Sequence, residues 1–248
     1  MPKPSDLHSE HTQEAIASRI RSASQHSYLG DFILGAVDGA VTTFAIVAGA
    51  AGAGLSNGVV LVMGLANVFA DGVSMGAGNY LKARSDQQLL DRFRRLEEMH
   101  IDHVPHGERE EVRQIYRAKG FDGEILEKIV QVITEDRQQW VNTMLTEEWG
   151  LQLQPPVPWR AGVATFAAFI LADMVQLAPA IVLLAGRAKD SFVTTAVLTG
   201  ATFFVIGFVR GRIVERRPLA AGLETLFIGG AAALVAFTVG RLLHGLAG

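Results

Sequence analysis

Residues 31–81 read DFILGAVDGAVTTFAIVAGAAGAGLSNGVVLVMGLANVFADGVSMGAGNYL, a stretch of 51 residues that contains no lysine or arginine. A helix needs about 20 mostly apolar residues to cross the hydrocarbon core of a bilayer. The stretch is long enough for two such helices, and the glycine- and alanine-rich segment at residues 49–58 provides a turn between them. We therefore predict transmembrane helices at residues 31–54 and 59–81.

Three stretches nearer the C-terminus are equally poor in charge. Residues 161–186 contain only one charged residue, Asp173, residues 191–209 contain none and residues 218–240 contain only Glu224. They predict three more spans, at residues 161–185, 191–209 and 219–243. The chain is 49% apolar and 19% charged, which argues against a soluble globular enzyme. We expect an all-α membrane protein with five transmembrane helices, two in residues 31–81 and three in residues 159–248.

Residues 82–158 differ from the rest of the chain, because 15 acidic and nine basic residues lie between residues 86 and 150. Proline, glycine and aspartate residues at helix-terminating and helix-capping positions predict several helices in this insert. One of these helices has an apolar stripe of Ile125, Ile129, Val132 and Ile133. Of the basic residues near the ends of the predicted spans, twelve fall on one side of the membrane and three on the other. Because basic residues favour the cytoplasmic side, the N-terminus and the insert are predicted inside and the C-terminus outside. Residues 1–30 are then an amphipathic cytoplasmic segment.

The composition also limits the partners and the metal ligands. The chain has no cysteine, so any metal must be held by oxygen, imidazole or thioether groups. The net charge is −3 and no basic run is present, which argues against a nucleic-acid partner.

Acidic residues inside the predicted spans are the first candidates for function. An ionised side chain at the bilayer centre costs roughly 2.5 kcal/mol or more, so it normally faces a cavity, a partner or an ion path. This reasoning favours a functional role for Asp38 and Asp71. For Asp173 and Glu224 a functional and a purely structural role stay equally open.

The second span carries a polar stripe. Asn67, Asp71, Met75 and Asn79 recur every four residues, a step that keeps them on nearly one face of a helix. A carboxylate one turn from a thioether is a candidate ligand pair for a borderline divalent metal. We therefore predict that Asp38, Asn67, Asp71 and Met75 line a transport pathway.

Three pairs at helical spacing occur in the insert, and they are Glu97 with His100, Glu108 with Glu111, and Met144 with Glu148. Any one pair alone is more typical of a solvated acidic helix face. Together, imidazole, carboxylate and thioether groups suit Fe²⁺, Mn²⁺, Co²⁺ or Zn²⁺ better than Mg²⁺ or Ca²⁺.

The segments DGAVTTFAIVAGAAGAGLS and GLANVFADGVSMGAGNYL resemble the first two spans of the vacuolar iron transporter family. The insert is similar as well, in the run E-x-x-H-x-x-x-V-P-x-x-E-x-x-E and in the later M-x-x-x-E-x-G-L. The resemblance covers nearly the whole chain from Tyr28. The compact loops favour a bacterial-type member in the plasma membrane, and a eukaryotic member is expected in the vacuolar membrane.

The resemblance implies a homodimer whose pore lies at the two-fold axis, with Asp38 and Met75 as its lining. It also implies that the insert binds several metal ions, through Glu97, His100, Glu108, Glu111, Met144 and Glu148. His100 departs from the plant pattern, which has glutamate there, and Asp71 matches no acid in the plant members. The implied mechanism is export of ferrous iron, and of Mn²⁺ or another divalent transition metal, from the cytoplasm in exchange for protons.

Two other functions stay open on the sequence. Glu97-x-x-His100 and Glu108-x-x-Glu111 are compatible with a di-iron ferroxidase on a membrane anchor. The insert is also compatible with a metal-sensing or metal-binding module that supports no flux. The acids within the spans favour the transporter, because a pure anchor gains nothing from them.

Overall fold

The computed structural model describes residues 11–23, 26–184 and 191–246. All regular secondary structure in these residues is helical, and it comprises α1 (Gln13–Ala23), α2 (Leu29–Gly52), α3 (Asn57–His103), α4 (Pro105–Ala118), α5 (Gly123–Glu135), α6 (Arg137–Glu147), α7 (Pro158–Leu184), α8 (Ser191–Ile213), α9 (Pro218–Leu242) and a short 3₁₀ turn (His244–Leu246). The all-helical prediction is therefore confirmed.

Four of the helices are long and apolar enough to cross a membrane, namely α2, α3, α7 and α9. They coincide with the first, second, third and fifth predicted spans. The fourth predicted span lies in α8, which is not among the four, so the five-span count stays a prediction. The predicted end of the third span, Ala185, and the first ten residues of the N-terminal segment lie outside the described residues.

The chain divides into two compact units. The membrane unit contains Met1–Ser18, Ser27–Leu81 and Pro158–Gly248, and the insert unit contains Arg19–His26 and Lys82–Val157. Helix α3 contributes residues to both units.

Glycine allows the helices of the membrane unit to pack backbone against backbone. A Cβ atom placed on Gly35 of α2 would lie 2.2 Å from the carbonyl oxygen of Thr165 on α7. A Cβ atom on Gly240 of α9 would lie 2.0 Å from the carbonyl oxygen of Gly49 on α2. Small residues at such contacts provide the close packing that holds helices together where lipid offers no hydrophobic driving force.

Polar side chains add links between the same helices. Asn79 on α3 donates to the Asp31 carboxylate at 2.8 Å and to the Thr165 hydroxyl at 2.7 Å. The side chain of Asn79, which the sequence places on the polar stripe, therefore joins α2, α3 and α7.

The insert unit has its own hydrophobic core, built around Trp140, Val141 and Leu145 of α6 together with apolar residues of α3, α4 and α5. The Asp136 side chain caps α6 by accepting from the Gln139 amide at 3.0 Å. The predicted apolar stripe of α5 is partly wrong, because Ile125 and Val132 are 66% and 51% exposed. The core face of α5 consists of Leu126, Val130 and Ile133, with Ile129 partly buried beside it.

Candidate metal site

Two helices of the insert unit supply the closest group of ligand atoms. Glu97 and His100 lie one turn apart on α3, and Glu108 lies in the first turn of α4. Only Val104 separates the two helices, and Pro105 begins α4 at the first helical position. One ligand atom from each of the three side chains lies within 4.8 Å of the others, a spacing that one metal ion can bridge.

The two carboxylates of this group are buried and incompletely hydrogen-bonded. Glu97 is 0% exposed and Glu108 is 2% exposed. The Nδ1 atom of His100 lies 3.2 Å from Oε1 of Glu108. The Oε2 atoms of Glu97 and Glu108 are buried and have no hydrogen-bond partner among the described residues. Because a buried carboxylate without partners is costly, this arrangement favours a bound cation.

Four carboxylates share the electrostatic field of this site. Burial, followed by repulsion from Glu111 and Glu97, raises the pKa of Glu108 to about 8. Partial desolvation, followed by repulsion from Glu97 and Glu111, raises the pKa of Glu148 to about 7, although this side chain remains exposed. We call Glu97, His100, Glu108, Glu111 and Glu148 the insert cluster. A divalent cation in the cluster would relieve both the repulsion and the missing hydrogen bonds.

The predicted metal ligands thus fall into three positions. Glu97, His100 and Glu108 form the inner group, while Glu111 and Glu148 are exposed side chains that add negative charge to it. Met144 is fully buried within the hydrophobic core of the insert unit. Its role as a ligand stays a prediction.

Trp149, which none of the ligand pairs in the sequence indicates, contacts the inner group. The Nε1 atom of Trp149 donates to Oε1 of Glu97 at 2.8 Å, and its ring packs on Phe93 with ring centroids 4.1 Å apart. The hydrogen bond fixes one oxygen of Glu97 and leaves the other without a partner. The only feature of the sequence that could have indicated a role for Trp149 at this site is its position next to Glu148.

In the membrane unit, the residues predicted to line the pathway are all partly buried. Asp38 and Asp71 lie close enough for their charges to repel each other. Asn67 donates to the Thr42 hydroxyl at 3.4 Å, and Thr42 donates in turn to the Asp38 carbonyl at 2.9 Å. Met75, one turn beyond Asp71 on α3, is likewise partly buried.

The two acids left open by the sequence have different surroundings. Glu224 on α9 forms an ion pair with Arg210 on α8 at 2.6 Å, and its side chain is 61% exposed. Asp173 on α7 is 0% exposed and accepts a hydrogen bond from Thr43 on α2 at 2.8 Å. Glu224 therefore belongs to an exposed ion pair, whereas Asp173 is buried where α7 packs on α2.

Comparison with known proteins identifies relatives along most of the chain. The family model described as VIT family matches residues 29–241. The chain is similar to a vacuolar iron transporter of Toxoplasma gondii, with 32% identity over 247 residues, covering 96% of this chain and 81% of the relative. It is similar to vacuolar iron transporter 1 of Arabidopsis thaliana, with 33% identity over 217 residues, covering 86% and 85%. Vacuolar iron transporter 2 of Oryza sativa shows 31% identity over 217 residues, covering 87% of each chain.

Proposed function

The chain belongs to the VIT family, and from this premise we propose that it exports ferrous iron from the cytoplasm in exchange for protons. It is a multi-pass membrane protein, and its relatives are named as transporters rather than enzymes. The single observation that carries the proposal is the group of Glu97, His100 and Glu108, whose ligand atoms lie within 4.8 Å of one another.

The insert cluster would capture the ion on the cytoplasmic side. Its two buried oxygens without hydrogen-bond partners are open to a cation, and Glu111 and Glu148 add charge that raises the local cation concentration. Imidazole and carboxylate together suit Fe²⁺, and they also suit Mn²⁺, Co²⁺ and Zn²⁺. These three ions are expected to compete with iron.

A pore at the axis of a homodimer would then carry the ion across the membrane. Asp38, Asn67, Asp71 and Met75 are its proposed lining. The exposure of α3 supports a second copy as the partner of this helix. Only 22% of its most apolar window is buried within one copy, compared with 28% for α9, 44% for α2 and 50% for α7. Two copies of Asp38 at one axis would attract a divalent ion strongly.

The remaining parts of the proposal concern topology and location. We propose five spans from the charge-poor stretches, and we propose a cytoplasmic insert and an external C-terminus from the distribution of basic residues along the chain. In a bacterium the protein would reside in the plasma membrane, and in a eukaryote in the vacuolar membrane. Lipid, a second copy of the chain, divalent metal ions and protons are its proposed partners, and nucleic acid is not.

Flux into proteoliposomes tests the function directly. Purified protein is reconstituted around a dye that Fe²⁺ quenches, and uptake is recorded with and without a pH gradient. We expect gradient-dependent quenching that Asp38→Asn abolishes and that Glu224→Gln, which alters only an exposed ion pair, retains. Absence of flux in the wild-type protein, with Fe²⁺ binding intact, would refute the transporter. Oxygen consumption on adding Fe²⁺ would instead identify a ferroxidase.

A further inference from the structure

Asp173 is a buried carboxylate that the proposed pathway does not use. It lies on α7, is 0% exposed, and its Oδ1 atom accepts a hydrogen bond from the Thr43 hydroxyl of α2 at 2.8 Å. A Cβ atom on Gly39 would lie 3.0 Å from this Oδ1 atom, so glycine allows α2 to approach the carboxylate. The Oδ2 atom is buried and has no hydrogen-bond partner among the described residues.

Gln176, the next polar residue on α7, differs from Asp173 because both ends of its side-chain amide are hydrogen-bonded. Gln176, one turn further along α7, donates to the Ala40 carbonyl at 2.9 Å and accepts from the Thr199 hydroxyl of α8 at 3.1 Å. Both ends of the Gln176 amide are therefore used to join α2, α7 and α8. A structural role accounts for Gln176 completely. It does not account for a carboxylate at position 173, where an asparagine would form the same bond to Thr43.

In the part of the chain that the structure describes, the charged groups that act on Asp173 are all negative. Asp38 on α2 and Asp71 on α3 are the charged groups that act on it, and both repel an ionised carboxylate. No lysine or arginine occurs in residues 31–81, 161–186 or 191–209, which supply the surrounding helices. A carboxylate with one hydroxyl partner and no neighbouring base is costly to bury in its ionised form.

The ligand that would relieve this cost is a proton rather than a metal ion. A divalent metal requires several ligand atoms within reach of one another. In the described part of the chain, only Glu97, His100 and Glu108 form such a group of His, Asp and Glu side chains. A single carboxyl needs no further ligand to bind a proton.

We propose that Asp173 is a proton-binding site inside the membrane unit, separate from the metal ligands, and that it holds the proton exchanged for the metal cargo. The second half of this inference rests on the proposed function. A divalent ion held in the proposed dimer-axis pore, where the second copy would supply further ligands beside Asp38 and Asp71, would offset the negative charge around Asp173 and favour loss of its proton. The O–H bond of the carboxyl then breaks, the oxygen retains the electron pair and the proton leaves to water. Departure of the metal restores the repulsion, and the carboxyl takes up a proton again.

Infrared difference spectroscopy on the full chain in lipid tests the site without any flux. The carbonyl stretch of a protonated carboxyl is expected at neutral pH, with a shift in D₂O and after labelling with ¹³C-aspartate. Adding Mn²⁺, which resists oxidation, should remove this band. Asp173→Asn should lack the band, and Asp173→Glu should retain it at a shifted position. Gln176→Met, which disturbs the same helix contacts but leaves the carboxyl, should also retain it. Absence of a protonated aspartate band in the wild type overturns the proposal.

Flux measurements test the coupling. Asp173→Asn should retain metal-for-metal exchange across the vesicle membrane and lose the acceleration by a pH gradient, whereas Gln176→Met should retain both. Gradient-driven uptake at the wild-type rate in Asp173→Asn overturns the coupling role. If the wild type shows the band but no flux, the proposed transport function fails and only the proton site is supported.

Discussion

Replacing Glu108 by glutamine is expected to stabilise the metal-free insert unit. Burial raises the pKa of Glu108 from 4.5 to about 8, with repulsion from Glu111 and Glu97 as the next causes. At pH 7 the folded unit must therefore hold a proton that the unfolded chain has released, which costs about 3 kcal/mol. Glutamine removes this cost but buries an amide that lacks a full set of partners, a penalty of about 1 kcal/mol. The net gain is about 2 kcal/mol.

The sign of the pH dependence follows from the same two pKa values. Between pH 4.5 and about pH 8 the folded state binds more protons than the unfolded state. The stability of the metal-free insert unit should therefore fall as the pH rises through this window. Below pH 4.5 Glu108 is protonated in both states, so its destabilising effect should be absent. In Glu108→Gln this part of the pH dependence should disappear.

Hydrogen exchange read by mass spectrometry can measure this gain on the full chain in detergent. A gain of about 2 kcal/mol corresponds to roughly 30-fold slower exchange in peptides of α4 and α6 at pH 7. Glu124→Gln, which alters an exposed acid at the start of α5, is the matched control and should leave exchange unchanged. Adding Mn²⁺ should protect the wild type and should not protect Glu108→Gln.

Two results would refute this reasoning. The first is exchange in Glu108→Gln that is as fast as in the wild type at pH 7. The second is an equal gain at pH 7 and at a pH near 4, because the cost of the proton vanishes at the lower value. Either result would mean that the buried carboxyl is not strained in the metal-free state.

Further tests concern the metal site and the helix packing. Trp149→Phe should keep the ring contact but lose the hydrogen bond to Glu97, so Mn²⁺ affinity measured by calorimetry should fall about tenfold. Metal binding should release protons at pH 7, because the cluster carboxyls with raised pKa must ionise, and the heat should therefore depend on the ionisation enthalpy of the buffer. Gly35→Ala should lower the thermal unfolding temperature in detergent, because its Cβ atom would lie 2.2 Å from the Thr165 carbonyl oxygen, whereas Gly78→Ala, with no atom within 4 Å, should not.

The helices of the insert unit show how far periodicity alone can be used. On α5, both the predicted stripe through Ile125 and the observed one through Leu126 recur at helical spacing. A helix with apolar residues over much of its circumference does not indicate which face its neighbours will cover. The packing of α5 in the core of the unit decided in favour of Leu126, Val130 and Ile133.

At the candidate metal site, too, the sequence predicted which residues share a helix face but not how deeply they are buried. The spacing of Glu97 and His100 predicts that they share a helix face, and the resemblance to a known family places Glu108 with them. Neither observation predicts that Glu97 is 0% exposed or that Trp149 donates to it. Burial depends on residues from other helices, and those contacts are not encoded in local spacing.

The sequence by itself determined the class of this protein. Long runs without charge can only be placed in a membrane or a large core, and an acidic insert with paired ligands at helical spacing indicates a metal-binding region. The tertiary structure decided which distant residues meet. Asp173 became distinct from Glu224 only when α7 packed on α2, since the Asp173 carboxylate is buried beside Thr43 whereas the Glu224 carboxylate is exposed beside Arg210. The physical reason is that the cost of a charge is set by its three-dimensional neighbours and its access to water, which linear order does not specify.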